Sequence, residues 1–435
     1  MGDLVNLRHL DIRGARLIRE MPLGVKKLKC IRTLSNFVVG EGVVSSLKDL
    51  KELKFIRGEL YTSRLDNATD CHETRDSILC DKKDLEVLVL EWSSSHASRD
   101  EEVEKIVLDI LQPHTNLKEL TINNFCGKKI SSWIGDPSFS NMVSLKLDGC
   151  ESRKTLPSIG LIGSLKNLTI KGMKMLKKIG ENGSIGILLK KRSMLKGSLV
   201  SNSFPYHDVL NSLKDRLPNR LLSLEKLVIT NCEQLVVSFT SFSMLCHLVI
   251  ERCKSVLCNG PIDSRTLNPL PLLETVVIDK CEELGISLSS LPVLRSLNIR
   301  RCSKGMEELT HLWGNEIFLE KPLQGSQSFT SLKELYMAEL PNLVLFPDGL
   351  LSIPKKVEIS RCHAITSLHG GLKHNNARVE HLPDLPSSLL ELWVSDCPLL
   401  KQRCKRDKGQ EWPKITHIPC VEIDNKFIYD PEEEE

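Results

Sequence analysis

A nine-residue pattern, Leu-x-x-Leu-x-Leu-x-x-Cys with aliphatic exchanges, recurs along this chain of 435 residues. Its clearest copies begin 21, 28 and 21 residues apart and end on a cysteine, at Leu224–Cys232, Leu245–Cys253, Leu273–Cys281 and Leu294–Cys302. Eight further copies are recognisable, beginning at Leu7, Leu85, Leu117, Met142, Leu165, Leu332, Pro354 and Leu389, with a degenerate copy near Leu60 and Leu65. A repeat of this period constrains the fold more than any other feature.

The alternating aliphatic residues of each copy predict a short strand with one buried face, because side chains alternate across a strand. One repeat cannot bury that face alone, so neighbouring repeats must stack. We therefore predict an α/β solenoid: a leucine-rich-repeat horseshoe with a parallel concave β-sheet and irregular convex return segments. The ninth position turns into the core, where cysteine is a compact and mostly apolar side chain.

Composition agrees with a recognition scaffold and favours neither nucleic acid nor membrane as a partner. Lysine and arginine (59) nearly balance aspartate and glutamate (56), so no strong field of one sign is expected. No run of about 18 apolar residues predicts a membrane span. The opening residues lie inside a repeat and show no signal-peptide pattern, so we expect a cytoplasmic protein.

The 15 cysteines invite a disulfide or zinc interpretation. Seven of them occupy the ninth position of a repeat, namely Cys150, Cys232, Cys253, Cys281, Cys302, Cys362 and Cys397. No Cys-x-x-Cys pair occurs, so the usual zinc spacing is missing. We predict reduced, structural thiols and no metal site.

Catalytic motifs do not emerge from the sequence. The Gly127–Lys129 run lacks the earlier glycine of a phosphate loop, because position 122 is isoleucine. Four histidines, at positions 363, 369, 374 and 381, are best explained as solvated loop residues rather than as metal ligands. We predict no enzyme activity and no cofactor.

Several longer strings resemble the repeat region of plant intracellular NLR immune receptors (nucleotide-binding, leucine-rich-repeat disease resistance proteins) of the coiled-coil class. They are NLRHLDIRGARLIREMPLGVKKLKCIRTLSNFVVG, RLDNATD, LVLEW, ILQPHTNLKELTINNF, SSWIGDPSFSNMVSLKLDGC and the closing CKRDKGQEWPKITHIPCVEID. The resemblance covers nearly the whole chain. It implies a recognition module that contacts pathogen effectors or guarded host proteins and restrains a nucleotide-binding domain.

Two departures from that family are expected to matter. The coiled coil and the nucleotide-binding domain that precede such repeats are expected to be missing, so no nucleotide switch is assigned to any residue. Between Leu165 and Leu224 no repeat is visible, and Lys190, Lys191 and Arg192 form a basic run. We interpret this stretch as a lost repeat, a deletion or a gene-model error; a functional basic insert is the alternative. The predicted segments are repeats over 1–173, a disrupted repeat over 174–223, repeats over 224–403, a cap over 404–426 and an acidic tail over 427–435.

Residues between the strand leucines should line the concave wall, where solenoids usually bind partners. Tyr336 and Trp393 take the central exposed position of their strands, where no core contact requires a large ring. Aromatic and arginine side chains concentrate binding energy at interfaces, so Arg295, Arg300, Tyr336 and Trp393 form the predicted partner-binding patch. The alternative is that a neighbouring loop covers both rings.

Two functions of different classes remain open. The first is a non-catalytic protein-recognition module of plant innate immunity, which the resemblance implies. The second is a leucine-rich-repeat substrate receptor of a ubiquitin ligase. The absence of F-box helices before Leu4 argues against this second function. An extracellular repeat ectodomain would require a signal peptide and cystine caps.

Overall fold

The computed structural model describes residues 3–15, 17–41, 47–68, 76–95, 99–127, 129–151, 156, 159–176, 223–238, 242–258, 270–286, 291, 293–302, 331–344, 354–368, 385 and 387–428. The chain divides into two compact units. The first contains Met1–Leu224 with Asn231–Leu235, and the second contains Glu225–Thr230 with Val236–Glu435. The five segments predicted from the sequence stay a prediction. Most of the disrupted segment, residues 177–222 with the basic run, lies outside the described residues.

The first unit is a stack of parallel strands in sequence order. They are β1 (His9–Leu10), β2 (Thr33–Val38), β3 (Gly58–Ser63), β4 (Leu85–Glu91), β5 (Glu119–Asn123), β6 (Ser144–Asp148) and β7 (Asn167–Lys171). The return segments contain helix α1 (Leu47–Glu52), helix α2 (Glu101–Ile110) and 3₁₀ turns at Val25–Lys27, Leu65–Asn67, Ser132–Gly135 and Ile159–Leu161.

The second unit continues the same architecture. Its main sheet contains β8 (Lys226–Thr230), β10 (His247–Glu251), β12 (Thr275–Asp279), β14 (Ser296–Arg300), β15 (Glu334–Ala338), β16 (Lys356–Ser360), β17 (Glu391–Ser395) and β18 (Cys420–Ile423), all parallel, and the antiparallel β19 (Lys426–Phe427). Helices α3 (Pro398–Arg403) and α4 (Trp412–Ile415) lie between β17 and β18.

The prediction of a leucine-rich-repeat solenoid is confirmed by this stacking. Leu227 and Ile229 of β8 are 1% and 0% exposed, and the residues that they face in register on β10, Leu248 and Ile250, are 1% and 0% exposed. Parallel pairing in register places identical positions of neighbouring repeats above one another. Each buried aliphatic side chain of this kind contributes about 1.5–3 kcal/mol.

Two details differ from the expected return segments and strands. Short strands β9 (Val236–Ser238), β11 (Ser255–Cys258) and β13 (Glu283–Ile286) form a second parallel sheet, so three returns are regular rather than irregular. In addition, β2 was not recognised from the sequence. Its register shifts between Leu34 and Phe37, so its buried residues do not keep the two-residue spacing of the repeat.

The ninth-position cysteines are structural, as predicted. All seven are at most 2% exposed. Thiols donate to the carbonyl two residues earlier at Cys150, Cys253, Cys281, Cys302, Cys362 and Cys397, and the distance from Cys302 Sγ to the Arg300 oxygen is 3.2 Å. Burial raises the pKa of the Cys302 thiol to about 11 and that of Cys281 to about 12. The thiols of Cys281 and Cys302 are therefore protonated at neutral pH and serve as hydrogen-bond donors rather than as nucleophiles.

The residue before this ninth position has a left-handed backbone in most repeats. Positive φ values of 51° to 69° occur at Asn124, Gly149, Gly172, Asn231, Arg252, Lys280, Arg301, Glu339, Arg361 and Asp396. The N–H group of such a residue donates to the carbonyl that ends the next strand, as from Lys280 to Arg300 at 2.9 Å. The turn thus extends the hydrogen-bond ladder by one step, at a conformational cost for residues with a Cβ atom.

Replacing Lys280 by glycine is expected to stabilise the second unit by about 0.5–1 kcal/mol. The left-handed conformation costs a residue with a Cβ about 1–2 kcal/mol, and the greater unfolded-state entropy of glycine offsets roughly half of the gain. Lys280 is exposed and has a φ of 52°. Urea denaturation measures the change. The control is Lys226→Gly in the extended strand β8, which should lose stability; a loss in both variants would contradict the prediction.

Candidate functional site

The solvent face of the main sheet of the second unit presents a row of central strand positions that are neighbours in register. Tyr336 of β15 faces Glu358 of β16, and Glu358 faces Trp393 of β17. Both aromatic residues are partly buried although they lie on the exposed face of their strands. The two predicted aromatics therefore lie two strands apart, on either side of one carboxylate.

The side chain of Lys356, which was not predicted as a site residue, lies close to both aromatic rings. Its Nζ lies 4.3 Å from the centroid of the Trp393 ring and 6.0 Å from that of Tyr336. It also lies 3.6 Å from the carboxylate of Glu391. A cation within about 6 Å of an aromatic face is attracted by the ring quadrupole. A lysine from the strand between them thus partly covers both rings.

The polar atoms of the two rings differ in their surroundings. Within the described part of the chain, the indole Nε1 of Trp393 is buried and has no hydrogen-bond acceptor, which costs roughly 1–3 kcal/mol. Burial raises the pKa of the Tyr336 phenol above its ordinary value, and the neighbouring Glu334 raises it further. Tyr336 therefore keeps its proton at neutral pH and can donate a hydrogen bond.

Tyr61 of the first unit takes the same kind of position on the solvent face of β3. Its hydroxyl donates to Glu91 Oε2 at 2.6 Å, and burial raises its pKa above the ordinary value. The donor of Tyr61 is therefore satisfied within the protein. Trp92 and Phe125 of this unit lie instead in the core, where both are fully buried and their ring centroids are 5.2 Å apart.

A cavity of about 310 Å³ lies at the carboxyl ends of β14, β15 and β16. Its lining consists of three arginines, two carboxylates, one phenol and three smaller or apolar residues: Arg300, Arg301, Arg361, Glu339, Glu358, Tyr336, Met337, Ala338 and Ser360. We name this cavity the arginine hollow. Two residues of the predicted patch, Arg300 and Tyr336, therefore line one site.

Two of the three arginines of the hollow are paired with carboxylates. Arg301 donates to both carboxylate oxygens of Asp279, and Arg361 Nη1 lies 3.2 Å from Glu339 Oε1. Arg300 differs, because its Nε donates to the amide oxygen of Asn298 at 2.8 Å. Among the described residues it contacts no carboxylate.

Arg295, the fourth residue of the predicted patch, lies apart from the hollow. It precedes β14, whereas Arg300 ends that strand. Its Nη1 lies 3.5 Å from Glu274 Oε2, and its side chain is 57% exposed. The structure thus places Arg300 and Tyr336 together, links Trp393 to Tyr336 through Lys356, and leaves Arg295 at the other end of the strands.

The described residues contain no cluster of three histidine, cysteine or acidic side chains arranged to hold a metal ion. Of the four loop histidines, His363 is described and exposed, and those at 369, 374 and 381 lie outside the described residues. None of the described helices is long and apolar enough to cross a membrane.

Comparison with known proteins gives matches to repeat proteins. A family model described as R13L1/DRL21 LRRs matches residues 47–173. A putative disease resistance protein of Arabidopsis thaliana is 33% identical over 242 residues, which cover 48% of this chain and 17% of that protein. The putative disease resistance protein RGA1 of Solanum bulbocastanum is 31% identical over 153 residues, which cover 35% and 15%. A solved LRR protein of Leptospira interrogans is 15% identical, with a TM-score of 0.39 and 97% of each chain covered.

The resemblance to plant disease resistance proteins that the sequence predicted is confirmed by these matches. The chain spans only 17% and 15% of the length of the two plant relatives. The similarities support a defence-related leucine-rich-repeat module. They leave the roles of individual residues as predictions.

Proposed function

We propose that this leucine-rich-repeat module is a non-catalytic protein-recognition module of plant defence, acting in the cytoplasm. Its partner would be a pathogen effector or a host protein, and within a full receptor the repeats would also restrain a nucleotide-binding domain. Similarity to plant disease resistance proteins supports a role in defence and favours this function over a ubiquitin-ligase receptor.

The observation that carries the proposal is the cluster of Tyr336, Lys356 and Trp393 on the solvent face of the main sheet of the second unit. Aromatic rings at this position partly lose contact with water, and they do not contribute to the core that the strand leucines form. Aromatic side chains that are partly desolvated and flanked by charged groups are the usual anchors of protein interfaces. The patch of Arg295, Arg300, Tyr336 and Trp393 remains our prediction for partner contact.

Replacing both Tyr336 and Trp393 by alanine is expected to weaken partner binding by roughly 30-fold or more, because truncation of interface anchors commonly costs about 2 kcal/mol or more. The measurement is a pairwise interaction screen of the full chain against cloned pathogen effectors and host proteins, followed by calorimetry on each partner found. Circular dichroism of the double variant should match that of the wild type.

The matched control is Val249→Ala with Val277→Ala. These residues take the central solvent-face positions of β10 and β12, and their truncation should leave partner binding within about threefold. Unfolding of the aromatic double variant would show that the rings are structural. Unchanged affinity in a folded double variant would remove the patch from the proposed function.

A further inference from the structure

We infer that the arginine hollow is a docking site for a partner segment that carries one acidic and one basic side chain, the acid for Arg300 and the base for Glu358. The inference rests on the proposed function, that this face of the repeats binds protein, and it names the chemistry of the segment that is bound. Four observations support it: the shape of the hollow, a cation and an anion that form no ion pair with any described residue, and a flanking phenol.

The hollow exists because two small residues stand next to each other in register. Ala338 ends β15 and Ser360 ends β16, and the two are direct partners across the strands. In the same row on β12 and β14, Asp279 and Arg300 are direct partners with larger charged side chains. Arg301, Glu339 and Arg361, which follow the three strands in the chain, also line the hollow. A volume of about 310 Å³ accommodates side chains of a bound peptide.

Arg300 supplies a cation that the described part of the protein leaves without a carboxylate. Its neighbours Arg301 and Arg361 bind Asp279 and Glu339, so their charges are compensated. The bond from Arg300 Nε to Asn298 orients the guanidinium and leaves its terminal nitrogens available. A planar guanidinium held in this way favours a carboxylate, which it can bind through two parallel hydrogen bonds.

Glu358 supplies the opposite charge on the other side of Tyr336. It lines the hollow and is partly buried. The lysine of the same strand, Lys356, is instead engaged with Trp393 and Glu391. No cation within the described residues forms an ion pair with Glu358. A partly desolvated charge without a counter-ion is unfavourable, so a basic ligand residue relieves that cost at Glu358, while the exposed Arg300 offers its guanidinium to an acidic one.

The strand geometry sets the spacing of the two ligand charges. Arg300 and Glu358 lie on β14 and β16, two strands apart and two register positions apart, so their backbones are separated by about 12 Å. An extended peptide advances about 3.3 Å per residue. The acidic and basic residues of a bound extended segment should therefore lie about three or four positions apart. Tyr336, between the two charges in the sheet, contributes an aromatic surface and a hydroxyl donor.

The test is selection of peptides from a random dodecapeptide display library on the full chain. We expect enriched peptides to contain an aspartate or glutamate three or four positions from a lysine or arginine. Binding of a synthetic enriched peptide, measured by fluorescence anisotropy, should weaken roughly ten- to hundredfold in Arg300→Gln, as expected for loss of a charge-assisted pair. The control, Arg252→Gln, changes an exposed arginine outside the hollow and should bind as the wild type does.

A charge-exchanged variant separates specific pairing from general attraction. The double substitution Arg300→Glu with Glu358→Lys should reject the selected peptide and bind a second peptide in which the acidic and basic residues are exchanged. Thermal unfolding of each variant within about two degrees of the wild type would show that the fold is kept. A variant that unfolds is replaced by the neutral pair Arg300→Gln with Glu358→Gln.

Each outcome decides between this inference and the proposed function. Equal binding of the selected peptide to wild type and Arg300→Gln would overturn the docking site, as would enrichment of peptides without charge. If the binding of partner proteins then still depends on Tyr336 and Trp393, the proposed recognition function is supported and the docking site is contradicted. If partner binding depends neither on the two rings nor on the charges of Arg300 and Glu358, both the proposed function and the docking site are contradicted.

Discussion

Replacing Glu104 by alanine is expected to lower the free energy of unfolding of the first unit by about 3–5 kcal/mol, because it leaves a buried guanidinium without its counter-ion. Glu104 lies on α2 and pairs with Arg99 at 2.5 Å, and the two side chains are 4% and 7% exposed. Its second carboxylate oxygen accepts hydrogen bonds from the backbone of Cys126 at 2.7 Å and Gly127 at 3.1 Å.

This ion pair joins three segments of the first unit. Arg99 also donates to the carbonyls of Ser93, after β4, and Asn124, after β5. Gly127 is required at its position, because a Cβ there would lie 2.5 Å from the ring of Phe125. Gly127, which belongs to the Gly-Lys-Lys run that does not form a phosphate loop, thus has a structural role as a backbone hydrogen-bond donor to Glu104.

Urea denaturation followed by circular dichroism measures the loss, and hydrogen exchange reports it locally. The amides of Cys126 and Gly127 should lose protection in Glu104→Ala. Lys105→Ala is the matched control on the same helix, since Lys105 pairs with Asp109 at 2.6 Å and the two side chains are 35% and 42% exposed. Such an exposed pair is worth about 0.5 kcal/mol or less. A loss below about 1 kcal/mol for Glu104→Ala would contradict the prediction.

Replacing Lys82 by methionine is expected to stabilise the first unit by about 3 kcal/mol at pH 7. Lys82 lies in the turn before β4 and is 1% exposed, and among the described residues no carboxylate forms an ion pair with its ammonium group. Burial lowers the pKa of Lys82 from 10.5 to about 8. That difference corresponds to about 3 kcal/mol of unfavourable free energy in the folded state when the lysine is charged.

The sign of this effect gives a test by pH. The pKa is lower in the folded state than in the unfolded state, so the unfolded chain binds the proton more tightly and protonation destabilises the fold. The stability of the wild type should therefore rise as the pH increases from about 8 to 10.5, while the full cost applies below about 8.

The measured quantity is the difference in unfolding free energy between Lys82→Met and wild type. It should shrink from about 3 kcal/mol at pH 7 to below about 1 kcal/mol at pH 10. Lys83→Met, at the exposed neighbouring position, should match the wild type at both pH values. A difference for Lys82→Met that does not vary with pH would show that packing of the methionine, rather than relief of a buried charge, causes the effect.

The sequence was sufficient to predict the repeat architecture and the buried positions because both follow from local rules. Alternation within a strand assigns Leu227 and Ile229 to one face, and recurrence at a suitable period requires neighbours that stack. Cysteines at the ninth position were interpreted correctly for the same reason. Strand β2 was missed because the spacing of Leu34 and Phe37 departs from the motif, while backbone pairing with its neighbours still holds it in the sheet.

Contacts between repeats could not be predicted, because they depend on which exposed residues of different strands become neighbours. The sequence placed Tyr336 and Trp393 on the solvent face, but the register of β15, β16 and β17 brought Lys356 between them. Similarly, the hollow beside Arg300 arises where Ala338 and Ser360 meet across two strands that are 22 residues apart in the chain. Local side-chain alternation thus determined what is buried, and only the pairing of strands decided which polar and aromatic groups share a surface.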